Sequence, residues 1–404
     1  MRLITTVCSI AVLLLFCSGC WDRRELNDLA FVSAMGIDAE ENAGRYRVTF
    51  QVVNADEVAG SSTAGGGAAG GKSTPVVVLD SEGSTLFEAI RRASRKIPRR
   101  LYFAHMRLVV IGENQARRGI RDLFDFLDRS NEIRLNSKMI VARDADASTV
   151  ISQLTQIERI PAAALVGNLK FSSKLWGETL DYSVIQIINF LENPHREPVL
   201  AGVRVLGDPK SGTIQRNNFE TRSSSRLVLD GIALFKDSRL HEWADGDAAR
   251  GIVAILGEIR GGVVGLECGN RKKAAVVTIL RSSTRVSGRF RGEKPVVRIA
   301  VEQEGNISES HCDFSLDRPE AIRQLEQQWS ETTESFIRDA VRTAQRLPAD
   351  VFGFSDVFRR ANPQKWRSVR DEWNRWFPQI EAEVEVQSSI RRTGTRTKSY
   401  WLSS

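Results

Sequence analysis

The sequence predicts a multidomain protein of the α+β and α/β kind, with mixed sheets and helices packed on their faces. Three observations carry this. Stretches of period-two alternation and short apolar runs are interleaved with stretches of helical spacing. The chain has 404 residues, 42% of them hydrophobic, enough for two or three cores. Proline-rich punctuation then interrupts the pattern at Asn193-Pro194-His195-Arg196-Glu197-Pro198.

The first domain, over 20–192, opens with a hairpin. Phe31 to Ile37 is apolar, and after Glu40 to Gly44 the residues Tyr46, Val48, Phe50 and Val52 alternate with Arg45, Arg47, Thr49 and Gln51. The Gly/Ala/Ser stretch 59–74 contains Gly66 to Ser73, which satisfies the letters of a phosphate-binding loop. That mechanism needs a strand before the loop and a helix after it, but Pro75 to Leu79 reads as a strand. The stretch is therefore read as a flexible surface loop.

A helix then follows Ser84, with Leu86, Ala89, Ile90 and Ala93 on one face and Pro98 closing it. Leu108 to Ile111 is a buried strand, a second helix aligns Ala116, Ile120, Leu123, Phe124 and Leu127, and Met139 to Ala142 is another strand. Helical patterns occupy about 147–191. The middle domain, 193–270, holds a strand from Leu227 to Phe235, with Gly231 at a candidate bulge, and a helical stretch from Ala248 to Leu256.

The last domain, 271–404, is predicted as β-β-α-α-β. Lys273 to Val286 and Pro295 to Val301 form the paired strands. Asp317 is the expected N-cap of a long helix striped by Ile322, Leu325, Trp329, Phe336, Ala340 and Ala344. Asn362-Pro363 opens a second helix with Trp366, Val369, Trp373, Trp376 and Phe377 on one side. Three Trp on one face of an amphipathic helix read as core. Ile380, Ala382, Val384 and Val386 then alternate as the last strand.

The N-terminus sets the compartment. Arg2, the apolar run Ile10 to Phe16 and the small pair Ser18-Gly19 before Cys20 make 1–19 an export leader. The pair resembles a bacterial lipobox, with Cys17 where Leu is usual, so Cys20 is expected to carry a diacylglycerol or acyl lipid. Thr5, Thr6, Cys8, Ser9 and Cys17 to Gly19 leave too short a run for a membrane span. Of five cysteines, only Cys268 and Cys312 then remain, a pair compatible with one disulfide.

The formal net charge of +7 falls by one when Arg2 leaves with the leader, too small a balance to imply nucleic acid. The densest basic cluster is Arg91, Arg92, Arg95, Lys96, Arg99 and Arg100. It reads either as a solvated helix face or as a contact for anionic headgroups or an acidic partner; without an aromatic ladder it does not read as a nucleic-acid site. His105, His195, His241 and His311 lie at no metal-ligand spacing, and neither a nucleophile elbow nor a paired-carboxylate signature is present. No catalytic residue, metal or cofactor is expected.

Cys20-Trp21-Asp22-Arg23-Arg24-Glu25-Leu26-Asn27-Asp28-Leu29-Ala30, with Gly36-Ile37-Asp38 after it, closely resembles the start of the Ger(x)C family, the lipoprotein C subunits of spore germinant receptors. The likeness continues through Arg100 to His105, Glu132-Ile133-Arg134 and Asp350 to Phe354, then Pro363, Trp366 and Trp373. The resemblance implies three α/β domains and a non-enzymatic subunit on the outer face of the spore inner membrane. It also implies A and B membrane subunits as partners and a role in nutrient sensing. Trp21, Arg23, Arg24, Arg91, Arg92 and Arg95 are the candidate contacts to membrane or partner. The alternatives are an envelope solute-binding lipoprotein serving a transporter and an exported lipid-anchored enzyme, which would need a cleft of convergent titratable groups.

Overall fold

The computed structural model describes residues 26–40, 44–55, 58, 74–268, 271–312 and 314–393. Two sheets organise them. The first contains β1 (Leu29–Ala39), β2 (Tyr46–Val53), β3 (Val76–Gly83), β4 (Arg100–Tyr102), β5 (Leu108–Ile111), β6 (Lys138–Ala142), β7 (Val199–Gly207), β8 (Ser225–Lys236) and β9 (Arg239–Ala244). Its order is β3-β2-β1-β5-β6-β7-β8-β9, with β4 beside the start of β1. The β1, β5, β6 and β7 core is parallel, and antiparallel hairpins flank it on both sides.

Helices cover both faces, which is why β5 reads as an unbroken apolar run. Val109 and Ile111 face one layer, built by α1 (Leu86–Ala93), α2 (Glu113–Arg118) and α3 (Arg121–Arg129). Leu108 and Val110 face the other, built by α4 (Ala147–Ile151) and α5 (Pro161–Leu175). A further helix, α6 (Val184–Leu191), returns to the first layer.

Strands β7 to β9 follow the proline break at 193–198 yet pair onto β6, so a boundary at 193 runs between neighbouring strands of one sheet. Gly231 sits at the irregular step between β7 and β8 with φ 74°, the left-handed backbone of a glycine bulge.

The second sheet has the order β10 (Gly262–Cys268), β11 (Arg271–Arg291), β12 (Lys294–Ser310), β13 (Glu381–Arg392), antiparallel except for the β12–β13 pair. Between the sheets lies α7 (Gly246–Ile255), against the long α8 (Pro319–Arg346). The expected long helix is present, 28 residues in length, but its N-cap is Arg318 and not Asp317, without a side-chain bond. The Trp-rich segment is not one helix. After α9 (Phe354–Ala361), it breaks into α10 (Pro363–Val369) and α11 (Trp373–Trp376), with 3₁₀ turns at Arg370–Glu372 and Phe377–Gln379.

Burial of Trp366, Trp373 and Phe377 survives that break, because the turns bring the Trp366 and Phe377 rings against Trp373, with centroids 5.0 and 6.4 Å away. Trp373 in turn is bonded to the buried Asp350. Its carboxylate accepts from Phe354 N (2.8 Å), Ser355 N (2.7 Å) and Trp373 Nε1 (3.1 Å), and burial pushes its pKa up while those donors oppose the shift. Cys268 and Cys312 are joined, with Cα atoms 5.3 Å apart and a sequence separation of 44 residues. Closing a loop of that size restricts the unfolded chain by about 4 kcal/mol in the chain-entropy account.

Candidate functional site

A groove of about 970 Å³ lies between α1, the 94–100 turn and α3. It starts from local chemistry. Thr85 caps α1 by accepting from Glu88 N at 3.1 Å, and Ser84 N donates back to Glu88 Oε2 at 2.7 Å. The Ser84 amide holds the Glu88 carboxyl below its ordinary pKa. A side chain at Gly83 would meet Ala89 N at 2.5 Å, so only glycine lets α1 lie this close to β3. Leu86, Ala89 and Ala93 face the sheet, leaving Phe87 and Arg91 on the outer face.

Leu86, Ile97, Leu101 and Phe103 form an apolar floor, with half-buried Ile90 and Phe126 above it. The walls differ in sign. On the α1 side Arg91 lies over the Phe87 ring at 4.8 Å, Arg92 pairs with Glu88 (2.6 Å) and Lys96 with Asp80 (3.1 Å). The guanidinium groups of Arg91, Arg95 and Arg99 make no ion pair among the described residues. The α3 side presents Asp122 and Asp125, the latter paired with Arg129 at 2.8 Å. Arg100 and Glu132 bridge the two walls at one end. Tyr46 lines the groove near Asp122, and burial raises its phenol pKa further from neutrality.

Such an arrangement suits an amphipathic surface or segment better than a reaction. The groove's Asp125 and Glu132 are engaged by arginines. Asp38 and Asp350, two buried carboxylates whose pKa desolvation raises, lie elsewhere and cap helices. A second cleft of about 430 Å³ gathers Asn193, His195, Asp356, Arg359 and Arg370. There His195 stands edge-on to Trp366 at 5.2 Å, and burial holds the imidazole below its ordinary pKa. Among the described residues, no three His, Cys, Asp or Glu converge as metal ligands.

Of the residues singled out in the sequence, Arg91 and Arg92 lie on α1 and Arg95 just beyond it, all exposed. Cys20, Trp21, Arg23, Arg24 and the Gly66 to Ser73 loop lie outside the described residues. The acidic wall on α3 and the exposed Phe87 escaped sequence reasoning, because their relation to the basic cluster exists only across the groove.

Family profiles match along most of the chain: a "Spore germination protein N-terminal domain" over 22–205 and "Spore germination B3/GerAC like, C-terminal" over 230–394. The chain belongs to the GerAC-like, Ger(x)C family. This Ger(x)C chain is 33% identical to spore germination protein KC of Bacillus subtilis over 396 residues, covering 96% of each. It is 22% identical to spore germination protein B3 and 20% to spore germination protein A3 of the same organism, covering 95% of this chain and 96% of each relative. The crystal structure of the GerBC protein superposes with a TM-score of 0.54 at 18% identity, covering 92% of the Ger(x)C chain and all of that one. That likeness supports the fold.

Proposed function

We propose that this Ger(x)C protein is the lipid-anchored, non-enzymatic subunit of a nutrient germinant receptor in the spore inner membrane. It is held through an acyl-modified Cys20 and works with A- and B-type membrane subunits. The observation that carries the reading is the end-to-end similarity to spore germination protein KC, in a chain with small residues directly before Cys20. Among the described residues no helix is long and apolar enough to cross a membrane, and the anchoring in this reading rests on Cys20. Two acyl chains hold a protein at a bilayer where one is marginal. The non-enzymatic part is supported by the use of the buried carboxylates as helix caps.

The test is mass analysis of the mature N-terminus from spore membranes, with nutrient-triggered germination followed in the same strain. A diacylated Cys20 is expected, and Cys20→Ala should leave the precursor unprocessed or shed and the nutrient response lost. A mature chain starting elsewhere, or an undiminished response in the Cys20→Ala strain, would sink the reading.

A further inference from the structure

The chain leaving Cys20 enters the fold beside the basic wall of the groove. β4 pairs with the first residues of β1, Leu29 opposite Arg100, and Arg100 closes the turn that follows α1. From Cys20 to Leu26 there are six residue steps, at most about 20 Å at full extension. Whatever holds Cys20 at a bilayer therefore brings this end of the molecule to the same surface.

That end is suited to one kind of surface. Arg91, Arg95 and Arg99 recur every four residues, exposed and without ion-pair partners among the described residues. Phe87, one helical turn before Arg91, is 54% exposed. Across the groove, α3 carries Asp122, Asp125 and Asp128 against Arg121 and Arg129, a net negative helix in which Arg129 is paired with Asp125.

We propose that the face formed by α1 and the 94–99 turn lies on an anionic phospholipid surface, with Phe87 at headgroup depth and the acidic α3 turned away. The arginines neutralise headgroup charge and the ring enters the interface. The α3 carboxylates would be repelled by the same surface, which fixes the tilt. Basic side chains beside an acyl anchor form a second attachment signal and convert a swivelling tether into a defined orientation. This inference rests on the lipid anchoring proposed above.

The test uses the full lipid-modified chain on vesicles of phosphatidylcholine alone and of phosphatidylcholine mixed with phosphatidylglycerol, with backbone hydrogen exchange as the readout. The chain should float with both, and residues 85–100 should become protected only where phosphatidylglycerol is present. The triple variant R91E/R95E/R99E should float but lose that protection, whereas R91K/R95K/R99K should keep it.

Equal exchange on the two vesicle types, or protection of α3 instead, overturns the docking face while leaving the anchor intact. A chain that floats with neither vesicle overturns the anchoring beneath it. Protection that appears on either lipid only when A and B subunits are added assigns the patch to a protein and overturns the lipid proposal.

Discussion

Asp38 shows how a single carboxylate can hold distant pieces of this chain together. It is 2% exposed, accepts from Ala147 N at 2.6 Å and Ser148 N at 3.0 Å, and so caps α4 from the end of β1. A side chain at Gly112 would fall 2.0 Å from its Oδ1, so that glycine keeps the carboxylate in place. Burial outweighs the two amide donors and raises its pKa from 3.8 to about 6. Because the folded state holds the proton more tightly than the unfolded, this group's stabilisation is complete below its unfolded pKa and declines as pH rises through about 6. The difference in unfolding free energy between wild type and Asp38→Asn should therefore fall by about 2–3 kcal/mol between about pH 4 and about pH 7, then flatten. Urea titrations at several pH values measure it, and a difference that is flat or rises across this window contradicts the assignment. The role was not legible in the sequence, since the amides it caps lie more than a hundred residues away. Trp373 was legible, because its apolar neighbours recur locally at helical spacing and its burial follows from them.

At the scale of elements, the contact between α7 and α8 depends on Gly251. A Cβ there would lie 1.9 Å from Phe336 O and 2.7 Å from the Ala340 side chain, so the two helices meet backbone to backbone. In an isolated helix Gly→Ala would gain about 1 kcal/mol. Here the overpacking, typically costing about 1–3 kcal/mol, acts on a backbone carbonyl that cannot rotate away, and it wins. Gly251→Ala is expected to lower the denaturation midpoint, and an unchanged or raised midpoint would count against this packing. The sequence announced α8 well, through Pro319 and a stripe of buried positions over seven turns. It announced the α10–α11 segment poorly, because 3₁₀ turns preserve enough of the helical spacing to hide a change of axis. The prolines at 194 and 198 mark the close of α6 and the approach to β7, and local punctuation does not reveal which strand β7 will pair with.

For the molecule as a whole, one apolar cluster runs from Ile37 and Val109 in the first sheet, through Ile252 of α7, to Val297 of β12 and to Trp373 and Phe377. Two family profiles thus cover a body with a shared interior. Calorimetry on the oxidised protein should show a single transition, with equal calorimetric and van't Hoff enthalpies. Two resolved transitions would mean that the halves fold apart. The fold class was readable because strand and helix periods differ along the chain, and the basic wall of the groove because its arginines are neighbours in sequence. The acidic wall follows about thirty residues later and joins the groove only once the sheet places α1 beside α3.

The position of β1 has a mechanical consequence. It is the first strand after the N-terminal segment, yet it lies inside the sheet, bonded to β2 along one edge and to β4 and β5 along the other. A tug applied through the residues before Leu26 would run along β1 and load these bonds in parallel, as shear, not one after another as in unzipping. Displacement of the tether would then carry the whole body with it as a lever arm instead of peeling off its leading edge.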